Sequence, residues 1–383
     1  MLAESRKQSW QEDISGPWLV KADLEPYLKK WSHYEYFTLE KFGESEEKVP
    51  LHLLKWGKGK IKIVLWSQMH GNEATATLAI IDIIEFFHHL EIENDQELKE
   101  LRNNISIVFI PMLNPDGAQL FTRRNAHLVD MNRDAIKQQS SEMRAFFALL
   151  KSLKPDWAFN LHDQRTIFSV GAQRNCATLS YLAPSPDLAR SKSKSRIKTM
   201  QLIAGMHHKT KSLLADHFGK YSDEFYPRAV GDNLMAADIP CVLLEAGAFP
   251  GDPKRSKARQ LIFHNLIEAF NIISDSSFVD YSVEDYEAIP ENEQLLRDVV
   301  FRDINYQGQI CDIALQEQQT VIAGQWHSHY ILDDLGDLSH LKGIQEYSGG
   351  QVEALQAFSL QKKVSMIYQD QSLKIILEDG RIS

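Results

Sequence analysis

Along the first 275 or so residues, short apolar runs alternate with longer stretches in which apolar positions recur every three or four places. The run IKIVLW at 61–66 is β-branched and too short for a stable helix, so it predicts a strand. Residues 74–90 follow, with Leu78, Ile81, Ile84 and Phe87 at the spacing of a helix that buries one face. ISIVFIP at 105–111 predicts a second strand, ending at Asn114-Pro115-Asp116-Gly117, which reads as a turn. Residues 141–153 predict an amphipathic helix stopped by Pro155, and DWAFNL at 156–161 a third strand. Residues 196–218 predict a helix with Lys and His on its polar side. After Pro240, CVLL at 241–244 predicts a fourth strand closed by Gly247, and residues 256–273 predict a last long helix. Strands separated by helices imply an α/β fold with a mixed, largely parallel central sheet flanked by helices.

The pattern changes after residue 274. An acidic stretch at 284–303 carries one predicted helix, and short alternating segments follow. VSMIYQ and LKIILEDG near the end read as a hairpin. This divides the chain into an α/β domain at 1–284 and a small, mainly β domain at 285–383. The basic tract SKSKSR at 191–196 is expected to be a solvated loop.

Composition narrows the function classes. The 383 residues are 43% hydrophobic and 25% charged, ordinary for a soluble globular protein. A formal charge of −10 argues against a nucleic-acid partner. No apolar run has the length of a membrane span, and the N-terminal sequence shows no basic start followed by an apolar core. Cys176, Cys241 and Cys311 lie far apart, which suits a reducing, cytoplasmic setting.

Four polar groups fall at the carboxyl ends of predicted strands, where open α/β sheets bind ligands. His70 and Glu73 follow IKIVLW, the Asn-Pro-Asp-Gly stretch follows ISIVFIP, His162 follows DWAFNL, and Glu245 follows CVLL. A catalytic zinc takes three imidazole or carboxylate ligands and keeps a position open. His70 and Glu73, three apart where a strand gives way to a helix, with His162 from another strand, meet that need for one Zn2+ ion. Glu245 then stands as the carboxylate that is not a ligand and serves as general base.

These residues occur in an order that resembles the zinc metallocarboxypeptidase family, of which carboxypeptidase A is a digestive member. The matching motifs are His70-Gly-Asn-Glu73, Asn114-Pro-Asp-Gly117, Arg123-Arg-Asn125, Asp130-Met-Asn-Arg133, Asn160-Leu-His162 and Glu245-Ala-Gly247, spanning roughly residues 50–275. The resemblance implies that Asn132 and Arg133 grip a substrate's terminal carboxylate and that Arg123 stabilises the oxyanion, spacing favouring it over Arg124. It implies that Asp130 orients His70. Tyr221 and Tyr226 both stand where the family's tyrosine lid is expected. A long inhibitory pro-segment has no room before His70, so an enzyme made active in a protected compartment is expected.

The partner implied is a peptide or acyl amino acid with a free carboxylate. The rival readings are a deacylase similar to aspartoacylase or succinylglutamate desuccinylase, a cell-wall peptide amidase, and a binding protein that kept the fold without turnover.

Overall fold

The computed structural model describes residues 11–370 and 373–382; the N-terminal stretch read for a targeting signal lies largely outside them. The chain forms two compact units. The larger holds residues up to Gln164 and from Ala177 to Asn292; the smaller holds Arg165–Cys176 and the residues from Glu293 onward. The change of pattern expected at 285 therefore falls at 292/293, because the short helix Val283–Glu287 packs with the larger unit. The departure of residues 165–176 has no hydrophobic signature of its own.

In chain order the larger unit runs α1 (Lys21–Trp31), β1 (Phe37–Glu44), β2 (Pro50–Gly57), β3 (Ile61–Trp66), α2 (Thr75–Ile92), α3 (Gln96–Asn104), β4 (Ile105–Ile110), α4 (Pro115–Leu120), α5 (Ser141–Leu153) and β5 (Trp157–Asp163). It continues with β6 (Leu179–Leu182), α6 (Lys194–Thr210), β7 (Phe218–Lys220), α7 (Val230–Ala236), β8 (Cys241–Ala246), α8 (Ser256–Ser274) and α9 (Val283–Glu287). The eight strands form one mixed sheet in the order β1-β2-β4-β3-β5-β8-β6-β7. The central β4, β3, β5 and β8 are parallel, while β2 joins β4 and β6 joins β8 antiparallel.

Successive strand residues face opposite sides, and both sides are covered. Ile63, Leu65, Phe159, Leu161, Val242 and Leu244 belong to a core shared with α2 and α8. Val64, Trp66, Ala158 and Cys241 belong to the other, with Met143, Phe146 and Leu150 of α5 and Val230 and Leu234 of α7. Burial on both faces is why these strands read as unbroken apolar runs.

Three expectations change. Residues 114–117 are not a turn: Asn114 caps α4, its Oδ1 accepting from the Gly117 N–H at 2.9 Å, with Pro115 opening the helix. The helix expected over 196–218 spans 194–210, and 218–220 is a strand. The basic tract is not all solvated: Arg196 is buried, donates to the Ala183 carbonyl, and pairs with Asp223 at 2.5 Å.

In the smaller unit, β9 (Leu296–Tyr306), β10 (Gln309–Ile322) and β11 (Gln325–Gly336) form an antiparallel meander, and β12 (Lys342–Ser348) runs parallel to β9. The expected terminal hairpin is present, Met366–Gln369 pairing antiparallel with Lys374–Glu378. Val299, Phe301, Leu315, Leu332, Met366 and Tyr368 form its core. No helix among the described residues is long and apolar enough to cross a membrane.

Candidate active site

The loop from β3 to α2 is fixed by what it packs against. A Cβ built on Gly71 would lie 2.0 Å from the Gly117 backbone, so only glycine permits that approach. Asn114 completes the clamp, its Nδ2 donating to the Met69 carbonyl at 3.2 Å and its N–H to the Gln68 carbonyl at 2.9 Å. The Asn-Pro-Asp-Gly motif thus holds the loop that carries His70.

His70, Glu73 and His162 converge. The Nδ1 atoms of His70 and His162 each lie 2.7 Å from a different oxygen of Glu73, and the rings are 4.8 Å apart. All three side chains are buried, and one ligand atom from each falls within 4.8 Å of the others. His70 Nε2 faces Asp130 Oδ1 at 3.3 Å, a contact that would hold a proton on Nε2 when Nδ1 serves as a metal ligand. His162 Nε2 has no hydrogen-bond partner among the described residues. Acceptors crowded round one point in a buried site are what a divalent cation requires, and imidazole with carboxylate suits zinc.

Charge follows the geometry. Burial alone would raise the Glu73 carboxyl, but the two imidazoles outweigh it and hold it far below the usual range. Burial disfavours charge on His70, yet Glu73 and Asp130 raise it, whereas burial prevails at His162 and lowers it. Burial would likewise raise Asp130, but His70 and Arg123 hold it down.

Arg123 reaches this cluster: its Nε donates to Asp130 Oδ2 at 3.0 Å, and its Nη1 lies 3.1 Å from His70 Nδ1 and 3.5 Å from Glu73. Arg124 instead donates to the Leu128 carbonyl at 2.8 Å. Glu245 stands level with His162 on the neighbouring strand and with Ser180 on its other side. Burial, and then the charges of Glu73 and Asp163, push its carboxyl well above the usual range.

Asn132 and Arg133 lie on a short 3-10 turn capped by Asp130, whose Oδ1 accepts from the Asn132 N–H at 3.0 Å. Asn132 Oδ1 accepts from the Val230 N–H at 3.0 Å, so the turn and the start of α7 are tied together. The Arg133 guanidinium lies 5.2 Å from the centre of the half-exposed Tyr226 ring, within cation–π range. Of the two tyrosines expected near the site, Tyr226 therefore lies beside the arginine. Asp163 and Arg255 also reach this region and have no recognisable motif; only strand register brings them there.

Residues 26–213 match the zinc carboxypeptidase family. The chain is similar to carboxypeptidase E of Caenorhabditis elegans, 31% identical over 121 residues, which cover 26% of this chain and 25% of that protein. It is 25% identical over 210 residues to carboxypeptidase 2 of Trichophyton tonsurans, covering 54% and 34%. It thus spans about a quarter to a third of the length of these curated relatives. In fold it resembles a metallo-carboxypeptidase from Burkholderia cenocepacia, with a TM-score of 0.54, 14% identity, and coverage of 68% of this chain and 70% of that one. Over residues 26–213 the larger unit, with its mixed sheet and its ordered His-Glu-His set, is similar to the zinc carboxypeptidase family.

Proposed function

We propose that this protein is a zinc-dependent metallocarboxypeptidase that hydrolyses the amide bond next to a free C-terminal carboxylate. The observation that carries the reading is the convergence of two imidazole Nδ1 atoms on both oxygens of Glu73, beside Arg123 and Glu245. His70, Glu73 and His162 would hold one zinc ion, whose chemistry is Lewis acidity: it polarises a carbonyl and makes a water acidic, towards a pKa of about 7.

The protein's own groups do the rest. Glu245 takes the proton of the attacking water and passes it to the leaving amine, a role suited to a carboxyl whose proton affinity is already raised. Arg123 donates to the developing oxyanion, an interaction worth about 3–4 kcal/mol in comparable sites. Arg133 pairs with the substrate's terminal carboxylate through parallel N–H donors, and Asn132 holds the turn that presents it. Tyr226 covers the Arg133 side chain and acts as the lid.

The test is a mixed panel given to the zinc-loaded protein and read by mass spectrometry: peptides with free and blocked C-termini, N-acyl amino acids and muropeptides. Release of single residues from free C-termini alone is expected. Release of acyl groups with peptides untouched would move the chain to a deacylase, and no zinc bound at stoichiometric addition would remove the metalloenzyme reading.

A further inference from the structure

Strand parity sets two faces against each other at the carboxyl ends of β5 and β8. His162 and Glu245 point to one side, and the next residues, Asp163 and Ala246, to the other. On that reverse side lies Arg255, at the start of α8. Its Nη1 donates to the Ala246 carbonyl at 3.1 Å and lies 3.4 Å from Asp163 Oδ2. Its Nη2 donates to the Gln164 carbonyl at 3.2 Å. Asp163 Oδ2 accepts from the Thr75 hydroxyl at 2.6 Å and faces the Thr75 N–H at 3.3 Å, and the Asp163 N–H donates to Glu73 Oε2 at 3.2 Å.

One guanidinium and one carboxylate therefore join the segments that carry Glu73, His162 and Glu245. The Asp163 side chain is only 7% exposed and Arg255 17%. Arg255 also holds φ at +55°, a left-handed conformation that suits glycine better. A strained, largely buried arginine that bonds two strand-end carbonyls is poorly explained as a surface charge.

We propose that Arg255 and Asp163 are positioning residues of the metal centre, bracketing the ends of β5 and β8 and the start of α2 so that His162, Glu73 and Glu245 keep their mutual geometry. The effect on turnover rests on the carboxypeptidase reading; the effect on zinc affinity rests only on His70, Glu73 and His162 as ligands.

The experiment measures zinc affinity by competition with a chromophoric chelator, and kcat and KM on a peptide with a free C-terminus, for the full chain and the variants Arg255→Lys, Arg255→Ala and Asp163→Asn. Near-ultraviolet circular dichroism confirms that each variant is folded. Removing such a support is expected to weaken zinc binding by about 10- to 100-fold and to lower kcat by a similar factor, with KM within about threefold. Arg255→Lys is expected to rescue little, because a single ammonium lacks the planar fork that reaches three oxygens. Folded Arg255→Lys with zinc affinity and kcat within about twofold of the parent would overturn the proposal. Should Arg255→Ala fail to fold, Arg255→Lys and Asp163→Asn decide. A parent chain that binds zinc but leaves every peptide intact defeats the carboxypeptidase reading alone, and the zinc measurement still decides the bracket. A parent chain that binds no zinc defeats both.

Discussion

Replacing Asp232 by Asn should make the protein more stable at pH 8 and leave its stability at pH 4 nearly unchanged. Asp232 lies in the first turn of α7, only 6% exposed, with Oδ1 accepting from the Tyr226 N–H at 3.1 Å. Burial pushes its carboxyl from 3.8 up to about 6, against the smaller opposing pull of backbone hydrogen bonds and of Arg133 and Arg196. Below about 4 the carboxyl is protonated in both folded and unfolded chains and contributes nothing to the pH dependence. Between about 4 and 6 the unfolded chain has released the proton that the folded chain still holds, so stability falls as pH rises; above 6 the full cost remains. At about 1.4 kcal/mol per pH unit, the gap corresponds to about 3 kcal/mol as an upper figure. Asn keeps the acceptor for Tyr226 and does not titrate. At about 2 °C for each kcal/mol, thermal melts of parent and variant should differ by roughly 6 °C more at pH 8 than at pH 4. A difference that is the same at both pH values, or a variant less stable at pH 8, would show that the folded protein holds Asp232 comfortably ionised and would refute the reasoning.

Three further outcomes are expected. Glu245→Gln should keep one zinc per chain by elemental analysis while kcat falls by about 10²–10⁴, since the proton acceptor is lost; zinc loss would instead make Glu245 a ligand. Arg133→Ala should raise KM chiefly for peptides with a free C-terminus, and equal losses on amidated peptides would remove the carboxylate clamp. Asp82→Asn should cost about 3–5 kcal/mol in denaturant titrations, because it takes the opposing charge, 2.6 Å distant, away from the buried Arg259 guanidinium, and a loss below about 1 kcal/mol would contradict that.

The central sheet was legible because its strands are buried on both faces and so read as IKIVLW, ISIVFI and CVLL. The hairpin Phe37–Glu44 with Pro50–Gly57 was not, since its outer strand mixes Thr, Glu and Lys with apolar residues. Asn114-Pro-Asp-Gly117 carries turn residues and helix-start residues at once, and local composition does not separate them. At the site, ligand chemistry and motif order singled out His70, Glu73, His162 and Glu245, which the fold brings to one sheet edge. Spacing to the Asp-x-Asn-Arg stretch favours Arg123 over Arg124, and the loop after α4 turns Arg123 toward Asp130 and Arg124 toward the Leu128 carbonyl. Asp163 and Arg255 were invisible because their meeting depends on the alignment of β5 with β8, whose partners are about 80 residues apart.

The excursion of residues 165–176 limits how the chain can be cut. The Ile167 carbonyl accepts from the Leu296 N–H at 3.0 Å, Ser169 Oγ donates to the Glu293 carbonyl at 3.1 Å, and the Ala172 carbonyl accepts from Lys342 Nζ. Ending the protein after Asn292 would therefore remove the smaller unit's main sheet but leave this segment behind, stripped of those partners and starting three residues after His162. Separating the units takes two edits, a stop after 292 and a short bridge from Gln164 to Ala177, and the first without the second exposes a segment stripped of its partners three residues from His162.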